Sequence, residues 1–301
     1  MRMDPDHRYD LLAIDLDGTL LNSRGEVSAR NRQAIVRARR RGLRVIICTG
    51  RGLVESSAAL AQIDQREPVI VVGGAIIADP AANRTLHRFA IDPQLVVGAA
   101  GMLLDHGHAA LVFKDRLAAG YDYLVVRGAQ QIALEPVTEW WFKKMGAKVR
   151  YLESIEDDEH PEHTVRVGAC GARSRFHAVR QRVAQAFGDR VVVQHFQAVT
   201  SRKYARGLAD GDTLDVFEVF DARANKWSAL QHLSASMGID TGRIAAIGDE
   251  LNDEQMIEGA ALGVAMGNAC DRVRSLADRS APHHDEDGVA YAIDQILAGA
   301  W

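Results

Sequence analysis

The chain has 301 residues, about two domains at a typical ~150 residues each, and is long enough to bury a large core without covalent staples. Its 47% apolar and 25% charged fractions are those of an ordinary globular protein and exclude a mostly disordered chain. With 36 basic against 40 acidic residues the formal charge is −4, so no general polyanion-binding surface is implied and no nucleic-acid partner is expected.

In chain order, Tyr9–Ile14 reads as a buried strand running into polar Asp15. Ser28–Arg41 reads as a basic amphipathic helix, with Arg37–Arg44 as a solvated face. Leu43–Cys48 is a strand rich in β-branched residues, Leu53–Ile63 a second helix, and Val69–Val72 a third strand closed by Gly73-Gly74. Unbroken apolar strands separated by helices predict a parallel sheet covered on both faces. Residues 84–213 read differently. Pro93–Asp105, Pro136–Met145 and Ser174–Phe187 are helical, whereas Ala110–Lys114, Tyr121–Val126, Val165–Cys170 and Val191–Phe196 are strand-like, the spacing of an α+β domain. Acidic Glu153–Glu159 and Gly207–Asp212 read as surface loops. From a strand at Leu214–Phe220 the alternation returns, through helix Lys226–Met237, strand Ile244–Ile247, helix Asn252–Glu258, strand Leu262–Ala265 and helices Asp271–Ala277 and Val289–Leu297. The expected fold class is α/β. A Rossmann-like parallel core of residues 1–83 and 214–301 is interrupted by an inserted domain at 84–213.

The chemistry gathers at strand ends. Asp15-Leu-Asp17-Gly-Thr follows the first strand, and two carboxylates there can point into the crevice where open α/β sheets bind ligands. Read alone, such a pair is also a simple Asx turn. Thr49-Gly50-Arg51 follows the second strand, where a hydroxyl and backbone amides suit an anionic oxygen. Lys226 opens a helix. Gly248-Asp249-Glu-Leu-Asn252-Asp253 follows another strand, and its carboxylates would repel one another without a cation among them; helix capping by Asp249 explains only one of them. Hard oxygen donors with few histidines favour Mg2+ over Zn2+. A carboxylate nucleophile, an acid/base, a divalent metal and phosphate-holding groups form a phosphoryl-transfer set.

These segments resemble the four ordered motifs of the haloacid dehalogenase superfamily. Val264-Ala-Met-Gly-Asn-Ala269 and Asp287-Gly-Val-Ala290 resemble its Cof-type, class IIB branch, in which the long insertion is a C2-type cap. The resemblance covers both core segments. It implies that Asp15 attacks phosphorus and shares the metal, and that Asp17 serves as acid/base and ligates the metal through its carbonyl. Thr49, Gly50, Lys226 and Asn252 would hold the phosphate, and Asp249 and Asp253 would complete the Mg2+ site. It implies a Mg2+-dependent phosphatase acting on small phosphorylated metabolites, sugar phosphates foremost, with the cap closing over the strand-end crevice. A phosphomutase on the same fold and a catalytically silent phosphometabolite-binding protein remain as alternatives.

Some positions depart from the branch's pattern. Gly73 stands where Asn is usual, Trp227 where Gly is frequent, and the 198–213 return is long. These touch substrate specificity and leave the chemistry intact. Trp227 is expected to pack rather than to line the pocket. Trp140-Trp141-Phe142 cannot share one helix face and is expected in part as core. Histidines 106 and 108, 160 and 163, and 283 and 284 come as close pairs; His160–His163, in an acidic loop, could bind a metal but is expected as solvated surface. Cys48, Cys170 and Cys270 form no CxxC pair, and a reducing compartment follows. The stretch Met1–Tyr9 has no apolar signal core, and the apolar run Val69–Ala78 is too short for a span of about twenty residues. A cytoplasmic protein is expected, a monomer or small homo-oligomer with no membrane partner.

Overall fold

A computed structural model describes residues 8–198 and 212–301. The loop expected at Gly207–Asp212, apart from Asp212, and most of the 198–213 return lie outside these described residues. The chain forms two compact units, one of residues Met1–His87 with Asn225–Trp301, the other Arg88–Ala224.

The first unit is an eight-stranded sheet. In chain order its elements are β1 (Leu11–Asp15), α1 (Ala29–Arg40), β2 (Arg44–Cys48), α2 (Leu53–Gln62), β3 (Val69–Val71), β4 (Ile76–Asp79) and β5 (Arg84–Arg88). The second unit follows, with α3 (Pro93–Asp105), β6 (Ala110–Lys114), α4 (Arg116–Ala119), β7 (Tyr123–Val126), α5 (Pro136–Met145), β8 (Val149–Leu152), β9 (Thr164–Ala172), α6 (Arg173–Phe187), β10 (Val191–Gln197) and β11 (Leu214–Asp221). The chain then returns with α7 (Lys226–Ser236), β12 (Ile244–Gly248), α8 (Glu254–Gly259), β13 (Leu262–Ala265), α9 (Asp271–Leu276), β14 (Arg279–Ser280) and α10 (Gly288–Leu297).

The core sheet runs β14-β13-β12-β1-β2-β3-β4-β5, parallel from β14 to β3. Its central strand β1 is buried along its whole length, as its Leu-Leu-Ala-Ile run requires of a strand covered on both faces. β1 pairs in parallel with β12 through Leu11↔Ile244 and with β2 through Asp15↔Cys48, which brings the carboxyl ends of all three strands to one edge. The third strand continues past its glycines. Val72, Gly73 and Gly74 all have positive φ, and this tight turn sends β4 back antiparallel to β3, an extension the sequence reading had ended at Gly73-Gly74.

The second unit is a six-stranded sheet of order β10-β11-β9-β6-β7-β8, antiparallel except for β7–β8. Helices α3 and α6 bury Leu95, Leu103, Phe176 and Val183 against Val112, Val167 and Phe217 of its strands. The strand expected to reopen the core at Leu214–Phe220 belongs here: β11 pairs with β9 and β10, and the return to the first unit comes at Asn225. Phe142 of α5 lies 4.6 Å from Tyr123 and is buried, whereas Trp140 and Trp141 are half-buried with Lys144 over the Trp140 ring, so the aromatic triplet splits as its helical positions require. No helix among the described residues is long and apolar enough to cross a membrane.

Candidate active site

Three strand ends and one helix start build the site. β1 ends in Asp15, and a single turn, Leu16–Leu20, carries the chain away. Gly18 sits in that turn at φ +76, and a Cβ there would lie 2.2 Å from Asp249 Oδ2. Only glycine lets the backbone pass so close to that carboxylate. The same closeness lets Thr19 Oγ1 donate to Asp249 Oδ1 at 2.8 Å.

Lys226 is the first residue of α7. Asn225 caps the helix by accepting from the Ser228 amide at 2.8 Å. Gly74, at φ +101, packs on this start; a Cβ there would lie 2.1 Å from the Asn225 carbonyl carbon. Thus the strained turn after β3 fixes where Lys226 begins. Its ammonium, fully buried, donates to Asp15 Oδ1 and Asp253 Oδ1, both at 2.6 Å. Burial acts to lower the lysine pKa, but the two carboxylates outweigh it and raise the pKa above the usual lysine range. Asp15 responds in the opposite sense. Burial first, then Asp253 and Asp249, hold its carboxyl well above the usual carboxylate range against the pull of Lys226.

Asp253 is wholly buried. Its Oδ1 takes Lys226, and its Oδ2 accepts the amides of Asp249 at 3.0 Å and Glu250 at 3.2 Å. It therefore closes the loop after β12 while anchoring the lysine. Asp249 projects beside Asp15, and its carboxyl is pushed up to about 6 by burial and by Asp253 and Glu250, against the Thr19 hydrogen bond. One carboxylate oxygen each from Asp15, Asp249 and Asp253 lie within 4.8 Å of one another. Three buried carboxylates forming an all-oxygen donor set, with the Asp15 and Asp249 carboxyls raised, fit a hard divalent cation.

The remaining expected residues lie at the same edge. Thr49 is buried; its amide donates to Ile70 O at 2.8 Å and its Oγ1 accepts from the Arg51 amide at 3.1 Å. Gly50 is exposed, with Asn252 Nδ2 3.7 Å from where its Cβ would stand. Asp17 points outward and is held by Arg51. The structure thus brings all eight expected residues to one rim.

Two residues of the site had been given no role. Arg51 grips Asp17, whereas the sequence assigns a role only to the Thr-Gly part of its motif. Asn268 donates to Gly18 O at 2.8 Å and Asp249 Oδ2 at 3.2 Å, and accepts from the His284 amide at 3.0 Å. It sits in the Val264–Ala269 segment, and that resemblance was the available signal. Trp227 packs on Gly259, where a Cβ would lie 2.3 Å from its ring, so it is a packing residue as expected. Arg37 and Arg39 are more than a solvated face, since they pair with Asp294 and Glu67.

The haloacid dehalogenase-like hydrolase family model matches residues 12–293. Phosphatase YwpJ of Bacillus subtilis is 30% identical, over 95% of this chain and 99% of the relative. The 5-amino-6-(5-phospho-D-ribitylamino)uracil phosphatase YwtE of the same organism is 31% identical, over 96% of this chain and 99% of the relative. Among solved structures, a haloacid dehalogenase-like hydrolase from B. subtilis is 26% identical, covers 95% of this chain and 99% of its own, and superposes with a TM-score of 0.73.

Proposed function

Because the chain belongs to the haloacid dehalogenase-like hydrolase family, in its Cof-type branch, and is a phosphatase, we propose that it hydrolyses phosphate monoesters of small metabolites through an aspartyl-phosphate on Asp15. The observation that carries this reading is Lys226 wedged between Asp15 and Asp253 beside Asp249. A carboxylate poised against a phosphate dianion needs its charge offset in a dry site, and this is where that offset is built.

Asp15 and Asp249 would hold Mg2+, with the Asp17 carbonyl; Asp253 orients the loop and the lysine. The ion supplies charge neutralisation for the transferring phosphoryl group. An Asp15 carboxylate oxygen forms the new bond to phosphorus as the bond to the leaving oxygen breaks, and Asp17 gives that oxygen its proton. Asp17 then takes a proton from water, whose oxygen displaces Asp15 and yields inorganic phosphate. Thr49, the Gly50 amide, Lys226 and Asn252 hold the phosphoryl oxygens. The second unit acts as a C2-type cap that supplies substrate contacts.

The substrate class proposed is a phosphate on a sugar or sugar alcohol. The relative YwtE supports this, since the substrate in its name carries phosphate on a ribityl chain. The three cysteines stand as free thiols, which supports a cytoplasmic setting. Free phosphate released from a panel of phosphorylated metabolites with Mg2+ tests the reading. Asp15→Asn should abolish release while circular dichroism stays unchanged, and turnover surviving that change rejects Asp15 as nucleophile.

A further inference from the structure

His283, His284 and Asp285 lie outside the reaction just described, on the loop before α10. His284 Nδ1 sits 2.7 Å from the Leu21 carbonyl oxygen. A carbonyl can only accept, so Nδ1 carries the hydrogen, and in the neutral ring Nε2 carries the lone pair. His283 Nδ1 accepts from the Asp285 amide at 3.2 Å, so that nitrogen is unprotonated too. Asp285 Oδ1 is held by the Ser23 amide at 2.8 Å, which turns Oδ2 toward the rings. His283 Nδ1 and His284 Nε2 each stand 3.8 Å from that Oδ2. With both rings neutral, three acceptor atoms therefore converge, and one ligand atom from each residue lies within 4.8 Å of the others.

We propose that His283, His284 and Asp285 bind one borderline divalent transition-metal ion such as Zn2+ or Co2+, at a site separate from the Asp15–Asp249 carboxylates. Two imidazoles and one carboxylate form the donor set such ions select, unlike the all-oxygen set of the Mg2+ site. Tetrahedral bonds of about 2.0–2.2 Å place ligand atoms roughly 3.3–3.6 Å apart, so the present spacing needs a modest inward turn of the rings. That turn displaces the long Asp285 amide contact on His283. The Leu21 carbonyl orients His284 as an outer partner orients a metal-bound histidine. Leu21 and Ser23 lie some 260 positions from the loop. The oriented site thus exists only in the folded chain, although its three ligands are adjacent. All three residues are at least partly accessible, which gives an ion a way in. The other histidine cluster, His160–Glu162–His163, is less suited because the Arg88 guanidinium contacts His163 Nδ1.

The test is a Zn2+ titration by calorimetry with the full chain in saturating Mg2+, so that hard oxygen sites are filled. We expect one equivalent of Zn2+ beyond the Mg2+ already bound. His283→Ala and Asp285→Asn should each weaken it by more than about tenfold, the lower end of what even an outer partner's loss costs. Asn at 285 keeps an acceptor for the Ser23 amide, so folding is preserved, and Mg2+-dependent turnover should persist in both variants. With Co2+, visible absorption bands of a nitrogen-ligated ion should appear in the parent and vanish in the variants. No Zn2+ equivalent in the parent, or one that survives both substitutions or disappears with His160→Ala instead, overturns the proposal. Loss of turnover in the parent with Mg2+ alone would count against the phosphatase reading and leave the Zn2+ stoichiometry untouched.

Discussion

Arg51 holds Asp17 by both carboxylate oxygens, its Nε donating to Oδ2 at 2.8 Å and its Nη2 to Oδ1. The Asp17 side chain is 54% exposed, so the pair adds little to stability. Its value is aim: a planar fork fixes the carboxylate in a way an ammonium cannot. Arg51→Lys should lower kcat by about 10–100-fold, part of what a positioned acid/base contributes, with the melting temperature nearly unchanged. Steady-state kinetics beside a thermal melt checks both halves.

Lys226 is the only cation hydrogen-bonded to the Asp15–Asp253 pair among the described residues. Removing it leaves two buried acids facing one another. Lys226→Met should destabilise the fold by about 3–5 kcal/mol. Adding Asp253→Asn should recover part of that loss without restoring activity. Urea unfolding of the single and double variants measures it.

Asn268 steadies Asp249 without being a ligand in the proposed Mg2+ set. Asn268→Ala leaves Asp249 Oδ2 and the Gly18 carbonyl without this donor. The Mg2+ concentration for half-maximal rate should rise by about 10–100-fold, the usual effect of losing an outer partner. KM at saturating Mg2+ should stay close to that of the parent. A KM shift with no change in Mg2+ requirement would contradict this.

Chelated protein should lose stability as pH rises from about 4 to about 6. The Asp249 carboxyl is pushed up to about 6 in the fold, against about 3.9 in an unfolded chain, and Asp15 is raised as well. The folded state then binds more protons than the unfolded one across that window, so its unfolding free energy falls with pH. Above it, Mg2+ should replace the lost protons and stabilise by about 2.7 kcal/mol at a hundred times its Kd. Melts across pH, with chelator and with Mg2+, test both signs, and chelation should stop turnover reversibly.

Gly74→Ala should damage stability and activity together. It forces a side chain onto a φ of +101 and into the Asn225 backbone. A loss of roughly 1–3 kcal/mol from the backbone conformation, and more from the clash, is expected in a denaturant titration, with kcat reduced because Lys226 is displaced.

Much of this was legible from local pattern. The runs before Asp15, Thr49 and Asp249 are unbroken and apolar, which only doubly covered strands tolerate, so the placement of each motif at a strand end followed from periodicity. β11 was misplaced because Leu-Asp-Val-Phe-Glu-Val-Phe-Asp reads as a strand in either sheet. Its partners β9 and β10 settle the matter, and pairing is not written in a strand's own residues. Likewise β4 was hidden behind Gly73-Gly74, which read as an end and serve as a turn. Arg51 lies 34 positions from Asp17 and Asn268 lies 250 from Gly18, so local pattern shows neither contact, and only the Val264–Ala269 resemblance points to Asn268.

By itself the sequence determined the element types, the acids stationed at the carboxyl ends of β1 and β12, and the lysine at the start of α7. The tertiary structure alone decided which of those groups touch. Parallel pairing of β1 with β12 and β2, and the close pass of Gly74 under Asn225, set Lys226 between Asp15 and Asp253 and gave Asp253 a hold on both the lysine and the loop after β12. Local periodicity fixes how a segment folds and which of its faces is buried. The register between segments 200 residues apart is a property of the whole packed sheet.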